Sequence, residues 1–331
     1  MRVIPLALLA VLIALPAQAA EWTAQVVKTP ARVNAVEIVG NAAEIEAGGL
    51  WYRLGLGPKG PTLTFLDNGP DFERPEGALP DSRVATGSGD IARAWLAEPT
   101  ERYNHGALGD RIEAGALVIE RRDGARQTYK LGADAVFEDL EPRIADLDGD
   151  GRDEVVVIKS SLRFGSSLAV LAWRRNRYEI AAETPALGAP HRWLNVAGIA
   201  GFTGAGNNAR QIAIVRQPHV IGQLELWVYD GKRLTKAVEL PDASNHLAGT
   251  RAIHMSAVAD FDGDGIADLA VPSLDRKRLR LIGFAPRAHE IASVALPAKA
   301  ATDAAVVGDA NGPAVAIGLD DGSLVLARRP R

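Results

Sequence analysis

The 331-residue sequence contains no cysteine, which excludes a disulfide framework and thiol chemistry. Its net charge of −4 is small and no basic stripe runs along it, so we do not expect nucleic acid as a partner. Few windows hold a sustained helical period. These absences leave short apolar runs as the main structural signal.

The N-terminus has the pattern of a secretory signal peptide. Arg2 precedes an apolar run that ends at Leu15, and residues 17–19 provide a small-x-small cleavage site. The run is short for a membrane span, and nothing later approaches the roughly 20 apolar residues that a membrane helix needs. We therefore expect cleavage after Ala19 and a periplasmic or secreted mature chain that has no membrane span.

An acidic stretch occurs twice. "IADLDGDGRDEVVVIKS" (144–160) and "VADFDGDGIADLAVPSL" (258–274) align without gaps, 114 residues apart. A copy midway between them, at 199–217, keeps the apolar flanks and the glycines but has lost every acid. Prolines end apolar runs at a spacing of 56 residues, at Pro185, Pro241 and Pro297. The two markers together predict an internal repeat of about 56 residues.

Each repeat contains four short apolar runs that have the composition of strands. They are rich in Val, Ile and Leu and are bounded by Gly, Asp and Pro. Asp123-Gly124 and Asp230-Gly231 sit between such runs as tight hairpin turns. Four-stranded units that repeat at roughly 40–60 residues are typical of β-propeller blades. The sequence therefore predicts an all-β fold, a β-propeller of four-stranded blades.

The repeat also predicts the domain organisation. Residues 20–331 hold about five and a half periods, which favours six blades, with five as the alternative. The last unit ends three strands into its period and would leave a bare sheet edge, so we expect an N-terminal strand, such as 34–40, to complete it and close the ring. The predicted organisation is a signal peptide at 1–19 and a single β-propeller domain at 20–331, with clear units at about 132–185, 186–241 and 242–297, a partial last unit at 298–331 and weaker units at 20–74 and 75–131.

The two acidic stretches have the chemistry of cation-binding loops. Acids stand at positions 1, 3, 5 and 9 of each loop, and glycine stands at position 6. Hard oxygen ligands at this density fit Ca²⁺, and the main-chain carbonyl at position 7 adds another oxygen. The predicted ligands are Asp146, Asp148, Asp150, Arg152 and Glu154 in one loop, and Asp260, Asp262, Asp264, Ile266 and Asp268 in the other.

These loops differ from an EF-hand, which places a glutamate at position 12 and a helix after the loop. Position 12 is Val157 in one loop and Val271 in the other, each within a predicted strand. We expect two structural Ca²⁺ ions in strand–loop–strand sites, and the alternative is an acidic turn without an ion.

"DLDGDGRDE" followed by "VVVI", and "DFDGDGIAD" followed by "LAVP", resemble the calcium loops of FG-GAP/VCBS-type repeats. Those repeats form β-propellers in integrin α-subunits and in many secreted bacterial proteins. The resemblance covers about residues 75–331 and implies a divergent, secreted bacterial member. The Phe-Gly and Gly-Ala-Pro signatures are out of their usual places, at 164–165 and 188–190.

Four histidines are expected on the face opposite the acidic loops, because they fall in second-to-third-strand loops or in links between blades. Together with neighbouring polar and aromatic residues they form a candidate ligand face: His105, Arg163, His191, Arg192, Trp193, His219, His246 and Arg251. Such a face suits a glycan, a small anion, a partner loop or a metal. The alternative is that duplicated blades reuse one loop geometry, in which each histidine bonds to the backbone.

Enzyme signatures are absent from the sequence. It has no G-x-S-x-G elbow, no H-E-x-x-H motif and no P-loop, and "GLGPKG" (55–60) lacks the P-loop spacing. The sequence therefore favours an exported, monomeric, calcium-binding module without catalytic activity, whose partner is a protein or a glycan. The alternatives are a polysaccharide hydrolase or lyase, and a lectin-like glycan binder, each using the face opposite the acidic loops.

Overall fold

A computed structural model describes residues 21–204, 208–310 and 312–330, so the predicted signal peptide lies outside the described residues. These ranges contain antiparallel strands, turns and loops but no helix, which confirms the predicted all-β class. It follows that this part of the chain offers no helix with the length and apolar character that a membrane crossing requires.

The described strands form five antiparallel sheets, and within each sheet most strands that follow one another in sequence pair. The first sheet comprises β2 (Val33–Val39), β3 (Ala42–Ala47), β4 (Leu50–Gly57) and β5 (Gly60–Leu66). Two further sheets comprise β15 (Leu194–Ala200), β16 (Gln211–Arg216), β17 (Gln223–Tyr229) and β18 (Leu234–Leu240), and β19 (Ala257–Ala259), β20 (Asp268–Pro272), β21 (Arg278–Gly283) and β22 (His289–Ala295). The last contains β23 (Ala300–Asp309), β24 (Gly312–Leu319), β25 (Leu324–Arg328) and the N-terminal β1 (Thr23–Val27).

The remaining sheet has nine strands and combines two four-stranded units. One unit is β6 (Ala85–Thr86), β7 (Ile91–Thr100), β8 (Glu113–Arg121) and β9 (Arg126–Lys130). The other is β11 (Arg143–Ala145), β12 (Glu154–Ser161), β13 (Gly165–Arg174) and β14 (Arg177–Glu183). The short β10 (Ala135–Phe137) joins them, because it pairs with both β8 and β12.

The described strands thus make six four-stranded units, arranged as in a β-propeller. The first strands of successive units lie side by side, as β15, β19, β23 and β2 do. Apolar side chains of neighbouring units share one core: Ile45 of the first unit packs in the same cluster as Ala316 and Leu326 of the last. Six units agree with the blade number that the repeat length favoured.

Burial explains the hydrophobic pattern of the strands. The central β12 is buried on both faces from Val155 to Ile158, because its unit is enclosed by two neighbouring units. The outer β18 is mostly exposed and accordingly carries polar residues such as Lys236 and Glu239. Continuous apolar runs therefore mark inner strands, and mixed runs mark outer ones.

An N-terminal strand completes the last sheet, as predicted, but it is β1 rather than residues 34–40. Thr23 to Val27 pair in antiparallel register with Arg328 to Leu324. Residues 33–39 instead begin the first unit, as β2. The physical reason is local: Gly40 takes a positive φ and returns the chain directly from β2 into β3, so this segment forms its own hairpin.

The packing of β1 on the last unit predicts different losses of stability at two neighbouring valines, one buried and one exposed. Val27 is buried in the core shared by the first and last units, whereas its neighbour Val26 is 56% exposed. We expect Val27→Ala to lower the free energy of unfolding by about 1–3 kcal/mol and Val26→Ala to change it by less than about 0.5 kcal/mol. Denaturant unfolding checks this, and equal losses for the two variants would contradict the packing of β1.

Candidate functional site

The two acidic loops occupy equivalent places, each between the first and second strands of its unit. The first acidic loop (146–154) joins β11 to β12, and the second acidic loop (260–268) joins β19 to β20. Asp146 accepts the N–H groups of Gly149 and Gly151 at 2.8 and 2.9 Å. Asp260 accepts those of Gly263 and Gly265 at 2.6 and 2.9 Å. The glycines have positive φ, so the loops fold through the same turn.

Position 9 closes each loop. Glu154 accepts the N–H of Leu147 at 2.9 Å, and Asp268 accepts that of Phe261 at 2.8 Å. Leu147 and Phe261 are buried, so this bond ties the charged loop to the apolar core. Each position-9 acid is the first residue of its strand and is itself buried.

Three carboxylates converge in each loop, and in each group one oxygen per residue lies within 4.8 Å of the others. The groups are Asp146, Asp148 and Glu154, and Asp260, Asp262 and Asp268. Burial, followed by the like charges around them, raises the pKa of Glu154 to about 8 and that of Asp268 to about 6. Each cluster could hold a metal ion, whose positive charge would offset this repulsion.

The position-5 acids stand apart from these clusters. Asp150 accepts the N–H of Arg152 at 2.8 Å, and Asp264 accepts that of Ile266 at 2.8 Å. These bonds shape the turn that leads to the position-7 carbonyls of Arg152 and Ile266. The structure thus gathers positions 1, 3 and 9, and positions 5 and 7 remain predicted ligands.

The copy without acids, at 199–217, shows whether the hydrogen bond made by position 9 depends on a charged side chain. Gln211 begins β16 at the equivalent place, is buried, and accepts the N–H of Thr203 at 3.1 Å through its amide oxygen. The neutral amide therefore accepts a backbone N–H at this loop without a carboxylate. A negative charge at position 9 is therefore not needed for such a bond.

Both acidic loops also contact neighbouring units. Asp153 accepts the N–H groups of Gly89 and Ile91 in the preceding unit at 2.9 and 3.2 Å. In the second acidic loop, the ring of Phe261 meets Trp22 edge-to-face at 5.7 Å, and the Arg329 guanidinium donates to the Phe261 carbonyl at 2.8 Å. The loops therefore join adjacent units as well as adjacent strands.

On the opposite face the predicted histidines form two pairs. His105 and His191 stack with centroids 5.1 Å apart and planes 12° apart. Nδ1 of His105 is hydrogen-bonded to the fully buried carboxylate of Glu138. Because that carboxylate accepts, Nδ1 carries the proton and Nε2 of His105 is left as an acceptor.

Tyr103 holds His191 in place beside His105. The buried Tyr103 hydroxyl accepts the backbone N–H of His191 at 2.7 Å, and its ring packs edge-on against both imidazoles. His191 has a φ of 60°, in the left-handed region where Asn, Asp and His are enriched among residues other than glycine. The hydrogen bond from its N–H to Tyr103 therefore holds this left-handed turn in place.

The second pair is His219 and His246. Nε2 of His246 lies 3.0 Å from the Thr250 carbonyl, which can only accept, so this nitrogen carries the proton. Nδ1 of His246 must then accept from Nε2 of His219, at 2.8 Å, which leaves Nδ1 of His219 as an acceptor. The Trp193 ring stacks on His219, and its indole N–H donates to the Glu138 carbonyl at 3.0 Å, which links the two pairs.

The remaining residues of the candidate ligand face lie in different settings. Arg163 and Arg192 are exposed on neighbouring loops. Arg251 pairs with Asp81 at 2.7 Å and Asp110 at 2.9 Å and lines a cavity of about 490 Å³. Within the described residues, no cluster of three metal-ligating side chains contains a histidine.

Several residues of this face were not predicted from the sequence. The cavity is also lined by the Glu37–Arg83 ion pair and by Asp303, whose pKa burial raises to about 6. Glu138 and Tyr103 organise the first histidine pair. The one available signal was the acidic pair in "VFEDL", which places Glu138 within an apolar run.

Comparisons with known proteins add similarity to solved structures only. No protein-family model and no curated protein matches this chain. A solved structure of BBS1N in complex with ARL6DN is 11% identical over 88% of this chain and 75% of that chain, with a TM-score of 0.44. The rhamnogalacturonan lyase YesW is 12% identical over 93% of this chain and 68% of that chain, with a TM-score of 0.44. The propeller assignment depends on the sheet arrangement described above.

The second histidine pair predicts how stability depends on pH. Burial is the main cause that lowers the pKa of His219 to about 4 and of His246 to about 3, so both are neutral in the folded protein at pH 7. A depressed folded pKa means that their contribution is present above the unfolded pKa near 6.5 and is lost as the pH falls towards 4.

We therefore expect the unfolding free energy of the wild type to fall relative to that of His219→Gln/His246→Gln between pH 7 and pH 4. Denaturant titrations at several pH values measure the difference. Parallel curves for the two proteins would contradict the depressed pKa values.

Proposed function

We propose that this chain is an exported, calcium-binding β-propeller that acts as a non-catalytic binding module. Two structural Ca²⁺ ions occupy the acidic loops, and a protein or glycan binds on the opposite face. The observation that carries the proposal is the matched pair of carboxylate clusters, which recur at one position of two units with the same hydrogen bonds.

Calcium suits these loops better than other common ions. The side chains offered are all carboxylates, which favours a hard cation over Zn²⁺ or Cu²⁺. Ca²⁺ accepts six to eight oxygens in irregular geometry, whereas Mg²⁺ retains its waters and requires a near-octahedral shell. In both loops, hydrogen bonds from backbone N–H groups already orient the carboxylate oxygens. This arrangement suits the irregular coordination of Ca²⁺ better than the near-octahedral shell of Mg²⁺. The ligands would be the side chains at positions 1, 3, 5 and 9 and the carbonyls of Arg152 and Ile266.

Membership of the FG-GAP/VCBS-type repeat class is part of the proposal. It is supported by the D-x-D-x-D-G loops and by their place between the first two strands of four-stranded units. The N-terminal charge, apolar run and small-x-small site support cleavage and export to the periplasm or beyond. A monomer is part of the same proposal.

The role of the ions follows from what the loops contact. Each acidic loop touches an adjacent unit, through Asp153 in one case and through Phe261 in the other. Neutralising the carboxylates would remove repulsion at these junctions and stabilise the ring of units. The binding surface then lies at the other end of the propeller, where the histidine pairs and the cavity are.

We expect Ca²⁺ to raise the melting temperature and a chelator to lower it. Saturation at about 100 times Kd stabilises the folded state by about 2.7 kcal/mol per site. The double variant Asp148→Asn/Asp262→Asn removes one ligand from each cluster and should lose this response. Asp123→Asn/Asp321→Asn, which changes two exposed turn acids outside the loops, is the matched control and should keep it. A wild type that does not respond to Ca²⁺ would overturn the proposal.

A second candidate function is acid–base catalysis on a polysaccharide, and the His105–Glu138 pair favours it. A buried carboxylate that fixes an imidazole tautomer leaves the other nitrogen able to accept a proton from a substrate. Arg192 and Arg163, exposed on nearby loops, would suit an anionic sugar. The lectin-like alternative uses the same face without this proton transfer.

A turnover assay separates the two candidates. The binding-module proposal expects no new reducing ends and no unsaturated products from a panel of neutral and acidic polysaccharides. Turnover that falls by about 10²–10⁴-fold in His105→Gln, but is kept in the exposed-site control His289→Gln, would replace it with the catalytic candidate.

A further inference from the structure

The most exposed large apolar side chains of the histidine-bearing face lie on two turns. The exposed fractions are 50% for Phe164, 73% for Val220 and 47% for Ile221. Val220 is the most exposed large apolar residue in the described ranges. Phe164 belongs to the turn between β12 and β13, and the other two belong to the turn between β16 and β17. Clustered exposed apolar side chains mark interaction surfaces more often than isolated ones do.

The turn that carries Phe164 is fixed by its surroundings. The Phe164 carbonyl accepts the N–H of Gly188 at 2.8 Å. Gly165 follows with a φ of +75°, and a Cβ there would stand 2.3 Å from the Ala189 carbonyl. The backbone of this turn is therefore locked against the link that precedes β15, and the exposure of Phe164 does not arise from a loose loop.

The turn that carries Val220 and Ile221 is equally well held. The single carbonyl of Gln217 accepts the N–H groups of Val220, Ile221 and Gly222, each at 3.0 Å. Gln217 in turn donates its N–H to the Trp193 carbonyl at 2.9 Å. Two β-branched side chains are thus presented outward on a rigid turn, which reduces the entropy lost when a partner binds.

The two turns belong to one continuous ridge. Ser166, after Phe164, donates to the Arg192 carbonyl at 2.9 Å, and Trp193 accepts from Gln217. On the far side, a Cβ at Gly222 would stand 2.7 Å from Leu274, just before Arg276. We call this surface the apolar–basic ridge; it comprises Phe164, Val220 and Ile221 with Arg163, Arg192, Arg276 and Lys277.

The cations of the ridge have no carboxylate partner within salt-bridge distance among the described residues. Arg163 lies 5.2 Å from the Phe164 ring, and Arg192 donates to the Leu187 carbonyl at 3.1 Å. Asp275, which precedes Arg276, accepts from Ser273 Oγ and from the Lys277 backbone N–H.

The contrast with the adjoining strand is marked. Arg278 pairs with Asp242 at 2.6 Å and Arg280 with Glu290 at 2.7 Å. On the ridge, Arg163, Arg192 and Lys277 are exposed and form no ion pair among the described residues, so their charge is available to a ligand.

We propose that the apolar–basic ridge is a docking surface for a partner protein that presents an acidic segment with an apolar anchor. The ridge supplies unpaired cations for the acids and two rigid apolar turns for the anchor. The inference rests on the proposed binding function and names the partner's chemistry.

Features between the two turns favour a protein over a lipid surface. His191, which directly precedes Arg192 on the link between the two turns, is exposed, and a bilayer that covered the ridge would have to desolvate its imidazole. Nδ1 of His219 is left as an acceptor, which suits a backbone or side-chain N–H of a peptide. Aliphatic Val220 and Ile221 offer a sugar no hydrogen bond and no aromatic platform.

The test uses a fluorescein-labelled peptide of Glu, Leu and Phe residues and its counterpart with Lys in place of Glu. We expect the calcium-saturated full-length mature chain to bind the acidic peptide, with an affinity that falls as salt rises, and to leave the Lys peptide unbound. Phe164→Ser/Val220→Ser should raise the Kd at least tenfold. Phe65→Ser, at a Phe that is 52% exposed on β5, is the matched control and should leave it unchanged.

The cations are tested by Arg163→Glu/Arg192→Glu, which should abolish binding, with Arg287→Glu on the β21–β22 turn as the charge control. Failure of the acidic peptide to bind, or equal losses in the controls, would overturn the docking surface. Sedimentation with phosphatidylglycerol vesicles without peptide binding would assign the ridge to lipid and overturn it too. If the peptide does not bind but Ca²⁺ still raises the melting temperature, the docking proposal is wrong and the proposed calcium sites are not affected.

Discussion

The pairing of β1 with β25 is the interaction on which the arrangement of the other units depends. It places residues from the two ends of the described chain in one sheet, in register from Thr23–Arg328 to Val27–Leu324. Without β1, β25 would present an unpaired edge, and the core shared by the first and last units would lose Val27. Trp22, immediately before β1, packs on Phe261 of the second acidic loop, so the same segment also supports a charged turn in the neighbouring unit.

Electrostatics distinguishes the acidic loops from the rest of the surface. Many carboxylates of this chain are paired with arginine or lysine, as Glu120 is with Arg93 and Arg126. The clustered acids of the two loops are bonded to backbone N–H groups instead, which orients them without cancelling their charge. Gln211 shows that an uncharged residue accepts the backbone N–H at the corresponding position. Each cluster could hold a metal ion, which would balance this charge.

The two ends of the propeller are therefore built on different principles. At one end, short loops rich in glycine and aspartate repeat between first and second strands. At the other, longer links and turns meet and hold one another through Glu138, Trp193 and Tyr103, which position the histidine pairs. The acidic end lends itself to a structural role because its contacts run to adjacent units. The opposite end combines imidazole acceptors, a polar cavity and unpaired cations, which are the features that a ligand can recognise.

The sequence by itself determined what local physics controls. The strands, their grouping into four-stranded units and the turns of the acidic loops could be predicted, because a turn with alternating aspartates and glycines takes its shape from its own backbone. Length favoured six units over five, and the need for a closing strand followed from the missing fourth strand. The identity of that strand did not follow, because β1 and β25 lie about 300 residues apart and local sequence does not specify pairing over such a separation. Tertiary structure alone brought His105 to Glu138 and His219 to His246, and it decided which carboxylates converge and which cations stay unpaired. These outcomes depend on distances between loops of different units, and the repeat pattern carries no information about them.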